Sequence, residues 1–145
     1  MYQRILMAYD GSGPGQRALL DCTDLAQWSQ AELFLIAVMP LPTGLTGLEV
    51  GVYTPELEQS ERDNYNAILK DGLQRLSDAG HSAKGEVLSG EAVQEITRYA
   101  KRIEASLIVV GHKHLKNWAA RWWRSSLSGA LIEHAPCSVL VVITP

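Results

Sequence analysis

Two stretches of this chain hold residues whose types and spacing could do chemistry. The first is DGSGPG, Asp10 to Gly15, and the second is GHKHLKNWAARWWRSS, Gly111 to Ser126. Glycine-rich turns between a strand and a helix let backbone N–H groups approach phosphate closely. A dinucleotide fingerprint beginning at Gly11 and Gly13 would need glycine at position 16, where Gln16 stands. The acid that would meet a ribose is displaced as well, because Glu32 opens the next apolar run instead of closing it. No Walker lysine motif follows, and Asp10 has a second use as a cap on the turn itself.

The second stretch contains His112, His114, three tryptophans and four cations without one acid. Two histidines two residues apart, with His81 and His134 far away and no carboxylate nearby, fall short of the three or four ligands and supporting shell of a zinc site. No metal site is therefore expected. Ser125, Ser126 and Ser128 lack the G-x-S-x-G surroundings of a hydrolytic serine and read as caps of a short helix. A capped helix N-terminus presents unpaired N–H groups and the positive end of a dipole, which suits an anion. Lys113, Lys116, Arg121 and Arg124 would add charge to such a site, or would be an ordinary solvated loop. Trp118 and Trp122 are four apart, and with Trp123 they read as packing residues, against the domain or a partner.

The whole chain carries −3, so the +4 of Gly111 to Ser126 leaves −7 on the remainder: one basic face on an acidic body. Nucleic-acid binding normally shows a basic domain, so nucleic acid is not the expected partner. With 145 residues, 46% hydrophobic and 20% charged, the chain fits one domain burying roughly two thirds of its unfolded surface. Its longest apolar runs, LFLIAV and VLVVI, are far shorter than the roughly 18 residues of a membrane span. Met1, Tyr2 and Gln3 lead into RILMAYD without a signal-like run, and the expectation is a cytoplasmic protein. Cys22 and Cys137 match no zinc or redox spacing and are expected to be buried thiols.

The elements that must position these residues follow from periodicity. Five apolar runs, residues 4–9, 32–38, 83–88, 107–110 and 138–143, read as strands. All but the third are continuous, as in a parallel sheet covered on both faces, and the half-polar third reads as an edge. Between them lie helical stripes: Ala18, Cys22, Leu25 and Ala26; Tyr65, Leu69, Leu73 and Leu76; Ala92, Ile96, Tyr99, Ala100 and Ile103; and Leu127, Ala130 and Leu131. Ser12 with Pro14 and Thr54 with Pro55 open the first two, Gly80 closes the second, and Pro136 bounds the last. The alternation predicts one α/β domain with right-handed crossovers and helices on both faces. The two long connections, Met39 to Thr54 and Gly111 to Ser126, leave the carboxyl ends of strands, where open parallel sheets bind ligands.

SLIVVGHKH and SSLSGALIEHAPCSVLVV, with ILMAYDGS at the start and GEAVQEI after the third strand, resemble the universal stress protein (UspA) family across essentially the whole chain. The resemblance implies an open five-stranded parallel sheet of order 3-2-1-4-5, adenine nucleotide alpha hydrolase-like, usually in a homodimer that pairs the last strands, here Ser138 to Ile143. For members that bind ATP it implies that the adenosine end is held by the aspartate closing the first strand and by backbone at the end of the second, here Asp10 and Val38 or Met39. The phosphates, with any accompanying magnesium, are implied to sit on a loop of pattern G-x2-G-x9-G-S/T. In this chain the first glycine is Gly111 and the second position is His114; the last pair is Arg124 and Ser125 by count, or Ser125 and Ser126 aligned back from HAPC. Two of three glycines are missing and the hydroxyl is kept.

The resemblance thus implies a small cytoplasmic stress-response binding module whose adenine-nucleotide site has a degenerate phosphate loop. Turnover is at most slow ATP hydrolysis, since only Asp10 stands as a candidate base. The alternative is a member that does not bind ATP and acts through protein partners.

Overall fold

The computed structural model describes residues 2–40, 54–113 and 127–144. Its elements run β1 (Arg4–Ala8), α1 (Gly13–Ser29), β2 (Glu32–Met39), α2 (Pro55–Asp78), β3 (Ala83–Ser89), α3 (Ala92–Arg102), β4 (Leu107–Lys113), α4 (Leu127–His134) and β5 (Ser138–Thr144). The five strands form one sheet of order β3-β2-β1-β4-β5, and every neighbouring pair is parallel. The predicted strand order is therefore the observed one.

Strand alternation sends successive side chains to opposite faces, so a run that is apolar at every position needs cover on both. Ile5, Met7, Leu33, Leu35, Leu107 and Val109 point into a core closed by Ala18, Leu19, Cys22 and Ala26 of α1 and Leu76 of α2. Leu6, Phe34, Ile36, Ile108 and Val110 point the other way, under Ile96, Tyr99 and Ala100 of α3 and Leu131 of α4. The expected helical stripes are thus the packing faces.

The helix ends have the expected chemistry. Ser12 Oγ accepts from Gly15 N at 3.1 Å and caps α1, and Thr54 Oγ1 accepts from Leu57 N at 3.2 Å and caps α2. Glu91 caps α3 with both carboxylate oxygens, accepting from Val93 N at 3.1 Å and Gln94 N at 2.9 Å. Gly80, at φ +87°, takes the left-handed turn that stops α2. The first seven residues of α2, Pro55 to Glu61, are all exposed.

Both edges of the sheet depart from a buried strand, in different ways. β3 exposes Lys84 and Glu86, which pair with Glu32 and Arg102. β5 is the edge strand that the resemblance implied, with β4 its one neighbour, and it leaves Leu140 37% and Ile143 59% exposed, although its continuous apolar run taken alone read as covered on both faces. Cys22 is buried, and burial pushes its thiol up to about 12; Cys137 is only half-buried, at the start of the edge strand, and both are free. Among the described residues no helix is long and apolar enough to cross a membrane.

Candidate functional site

β1 and β4 lie side by side, and α1, which follows β1, and α4, the next described element after β4, pack on opposite faces of the sheet, with a crevice at its carboxyl edge. A cavity of about 130 Å³ fills it. Ala8, Tyr9 and Asp10 from the end of β1, Val38 from β2, and Val110 and Gly111 from β4 line its sheet side. Gly15 of α1, Ala92 and Ile96 of α3, and Leu127 of α4 close the remainder. The lining is mostly apolar and contains one charged side chain, Asp10.

Asp10 is exposed, and its Oδ1 accepts from Ser12 N at 2.9 Å in a turn that Gly11 completes at φ +81°. Its Oδ2 has no hydrogen bond among the described residues. Gly15 belongs to the same turn, since a Cβ there would stand 2.9 Å from Asp10 Oδ1.

Gly111 has a structural reason that its sequence context did not show. A Cβ at this position would fall on the Pro14 carbonyl group and 2.8 Å from Gly15 N. The residue is therefore the point where β4 passes directly against the first turn of α1. Val38 lines the crevice, whereas the Met39 side chain is 2% exposed and its carbonyl already accepts from Gly90 N at 3.0 Å. Of the two candidates at the end of β2, Val38 is the one that faces the cavity.

The crevice is tied to α2 by a network that sequence reasoning missed. Tyr9 is 3% exposed, and its hydroxyl donates to Asp71 Oδ2 at 2.6 Å, which also accepts from Arg75 Nε at 2.9 Å. Burial first, and then the bond to Asp71, push the Tyr9 phenol up to about 12. The Tyr9 hydroxyl, followed by Arg75, holds the Asp71 carboxyl below its ordinary value. One turn further along α2, Ile68 stands 3.5 Å from where a Gly11 Cβ would be. Tyr65 follows, its phenol raised by burial and then by the charges of Glu61 and Asp10. The Asp71-to-Arg75 spacing was a legible i,i+4 ion pair; the tyrosine that joins it, remote in sequence, was not.

This network carries a pH prediction. A carboxyl depressed by folding stabilises the native state above its unfolded pKa of about 3.9, and that contribution is lost as pH falls through the lower folded value. Tyr9→Phe is expected to lower stability by about 1 kcal/mol at neutral pH. The difference from wild type should narrow below about pH 4. Urea unfolding of both proteins at neutral and acidic pH measures it; a gap independent of pH would rule out the bond to an ionised Asp71.

His114, Arg124, Ser125 and Ser126 lie outside the described residues, as do Lys116, Arg121, Trp118, Trp122 and Trp123. His112 belongs to β4, in register with Ile143, instead of lying on a loop. His81 follows α2 and His134 ends α4. Among the described residues no group of three or more His, Cys, Asp or Glu could hold a metal ion.

Residues 1–142 match the model of the universal stress protein family. The chain belongs to that family. Universal stress protein YxiE of Bacillus subtilis is 29% identical over 151 aligned positions, which cover 98% of this chain and 99% of YxiE. The structure of UspA from Lactobacillus plantarum superposes with a TM-score of 0.74 at 28% identity, covering 97% of each chain. A universal stress protein solved in complex with cAMP has the same fold, with a TM-score of 0.71 at 23% identity, covering 99% of this chain and 98% of that one. Ala92, Ile96 and Leu127, read from the sequence as core stripes, line this universal stress protein's crevice, as do Ala8, Tyr9, Gly15 and Val110, none of which sequence reasoning named as a site residue.

Proposed function

We propose that this universal stress protein is a cytoplasmic binding module that takes an adenine nucleotide in the crevice between β1 and β4. The observation that carries the reading is the convergence of Asp10, Val38 and Gly111 on one apolar cavity at the sheet's switch point. A flat, largely apolar base suits that lining, and Asp10 Oδ2 is an acceptor for a ribose or base donor. A relative of the same fold binds cAMP, which supports the ligand class. With Asp10 as the one charged group of the described lining, the phosphates fall to residues 111–126, whose four cations and Ser125 or Ser126 suit them. Any magnesium would come with the phosphates. The module holds its ligand, with slow hydrolysis of ATP as the most turnover it would show.

Calorimetry with ATP, ADP and AMP tests this. Binding should weaken as salt rises, and Asp10→Ala should weaken it about tenfold, the loss of one charge-assisted hydrogen bond. Arg124→Ala should act at the opposite end of the nucleotide, and glycine at positions 114 and 125 should tighten binding by reopening backbone access.

The second reading keeps the family and removes the nucleotide: the protein works through protein contacts. Its support is Gly111, whose lack of a side chain is already required by the passage of β4 against α1. That glycine is thus no evidence for a phosphate loop. Absence of heat with all three nucleotides, in wild type and in the glycine-restored variant, would select this reading.

In either case we propose a two-fold dimer through the uncovered edge of β5, Ser138 to Ile143, which has no charge to block pairing.

A further inference from the structure

Tyr9, the residue before Asp10, is held at its backbone, at both edges of its ring and at its hydroxyl. β1 stops at Ala8, and Tyr9 N still donates to Ile36 O at 2.9 Å, so the backbone belongs to the sheet while the side chain lies among helices. The ring stands in a slot between two glycines: a Cβ at Gly15 of α1 would lie 3.2 Å from its Cδ1, and a Cβ at Gly72 of α2 would lie 2.7 Å from its Cδ2. Both edges are therefore flanked by backbone that only a residue without a side chain brings so near. The tip is pinned by the 2.6 Å bond to Asp71 Oδ2, a length typical of strong hydrogen bonds to an ionised acceptor. The same Gly15 Cβ position is 2.9 Å from Asp10 Oδ1 and 3.3 Å from Ser12 Oγ. Ring, carboxylate and helix cap thus meet at one bare residue. Gly11, next in the turn, leans on Ile68, which lies one turn before Asp71 on α2.

We propose that Tyr9 is a positioning residue of the crevice: through its hydroxyl, α2 sets where the Asp10 carboxylate stands. Packing alone does not call for that hydroxyl, because phenylalanine would fill the slot with the same ring and bury no polar atom. What the hydroxyl adds is a link from the Asp10 turn to an ion pair on the exposed side of α2, Asp71 with Arg75. Asp10 has need of one, since the bond its carboxylate makes among the described residues is to Ser12 N, inside the same turn. A turn held only by itself can shift as a unit, and a hydrogen bond to a ligand weakens steeply once its angle is lost. The effect on ligand affinity rests on the adenine-nucleotide reading, whereas the effect on the Asp10 turn does not.

The test joins a ligand-free readout to a binding one. In the full chain without nucleotide, the Ser12 amide, which donates to Asp10 Oδ1, should shift in NMR spectra of Tyr9→Phe and of Asp71→Ala. In Asp71→Asn it should stay near its wild-type position, because the side-chain carbonyl still accepts from the phenol. AMP calorimetry should show Tyr9→Phe and Asp71→Ala each weakening binding about fivefold, the worth of one net hydrogen bond, with Asp71→Asn within about twofold of wild type. Asp71 is not part of the described lining, so its effect has to pass through Tyr9. The decisive comparison is in an Asp10→Ala background, where Tyr9→Phe should cost less than about twofold more. A merely structural tyrosine would cost the same factor in both backgrounds, and that result would overturn the proposal. So would a Ser12 amide that ignores the Tyr9 hydroxyl. Should Asp71→Ala fail to fold, Tyr9→Phe, which keeps the ring, carries both readouts. If AMP does not bind wild type while the Ser12 amide moves as expected, the positioning role stands and the nucleotide reading falls.

Discussion

Replacing Gly111 with alanine is expected to destabilise the protein by about 3 kcal/mol, the upper end of the usual cost of overpacking. The new methyl group would meet the Pro14 carbonyl and Gly15 N, which are backbone and cannot swing aside as a flexible side chain does. Either β4 or the first turn of α1 must move, and the Asp10 turn is part of that first turn. The melting temperature should fall by roughly 10 °C, and nucleotide binding should fall with it. Gly13→Ala is the control, because a Cβ there meets nothing within 4 Å. Its effect should be within about 1 kcal/mol. Equal melting temperatures for Gly111→Ala and wild type would mean that the contact between β4 and α1 is not close.

The second large effect concerns assembly. Wild type at tens of micromolar should sediment as a dimer, and Leu140→Lys with Ile143→Lys should leave a folded monomer. These residues are already 37% and 59% exposed, so the lysines cost the isolated fold little while placing charge beside the pairing edge. β3 illustrates the same device in the native chain, where Lys84 and Glu86 stand on the opposite edge. A wild-type protein that sediments as a monomer would remove the proposal, and a variant that remains dimeric would move the interface elsewhere.

Much of the fold was legible because period and position agree. Four continuous Ile/Leu/Val runs required a sheet covered on both faces, and the half-polar run fell at an edge, as β3 does. The apolar run of β5 did not by itself show an edge, because such a run does not distinguish cover by the chain's own helices from cover by anything else; its edge place came from the family resemblance. Asp10, Val38 and Gly111 were legible as residues at strand ends, but the walls that complete the cavity were not. Ala92 and Ile96 repeat at helical spacing whether they face a core or a crevice. The Tyr9–Asp71 bond joins positions 62 residues apart, and local pattern carries no information at that separation.

The cap on α3 has an electrical consequence for whatever occupies the crevice. A helix start is ordinarily a patch of positive potential, but the Glu91 carboxylate sits on the first free amides of α3 and cancels it from within. Ala92, the next residue, lines the cavity, so the quenched terminus borders the site itself. With Asp10 beside it, the β1–α3 side of the crevice is a poor harbour for negative charge. Under the proposed reading, a molecule that is neutral at one end and anionic at the other would place its neutral end on this side of the crevice, near Asp10 and Val38.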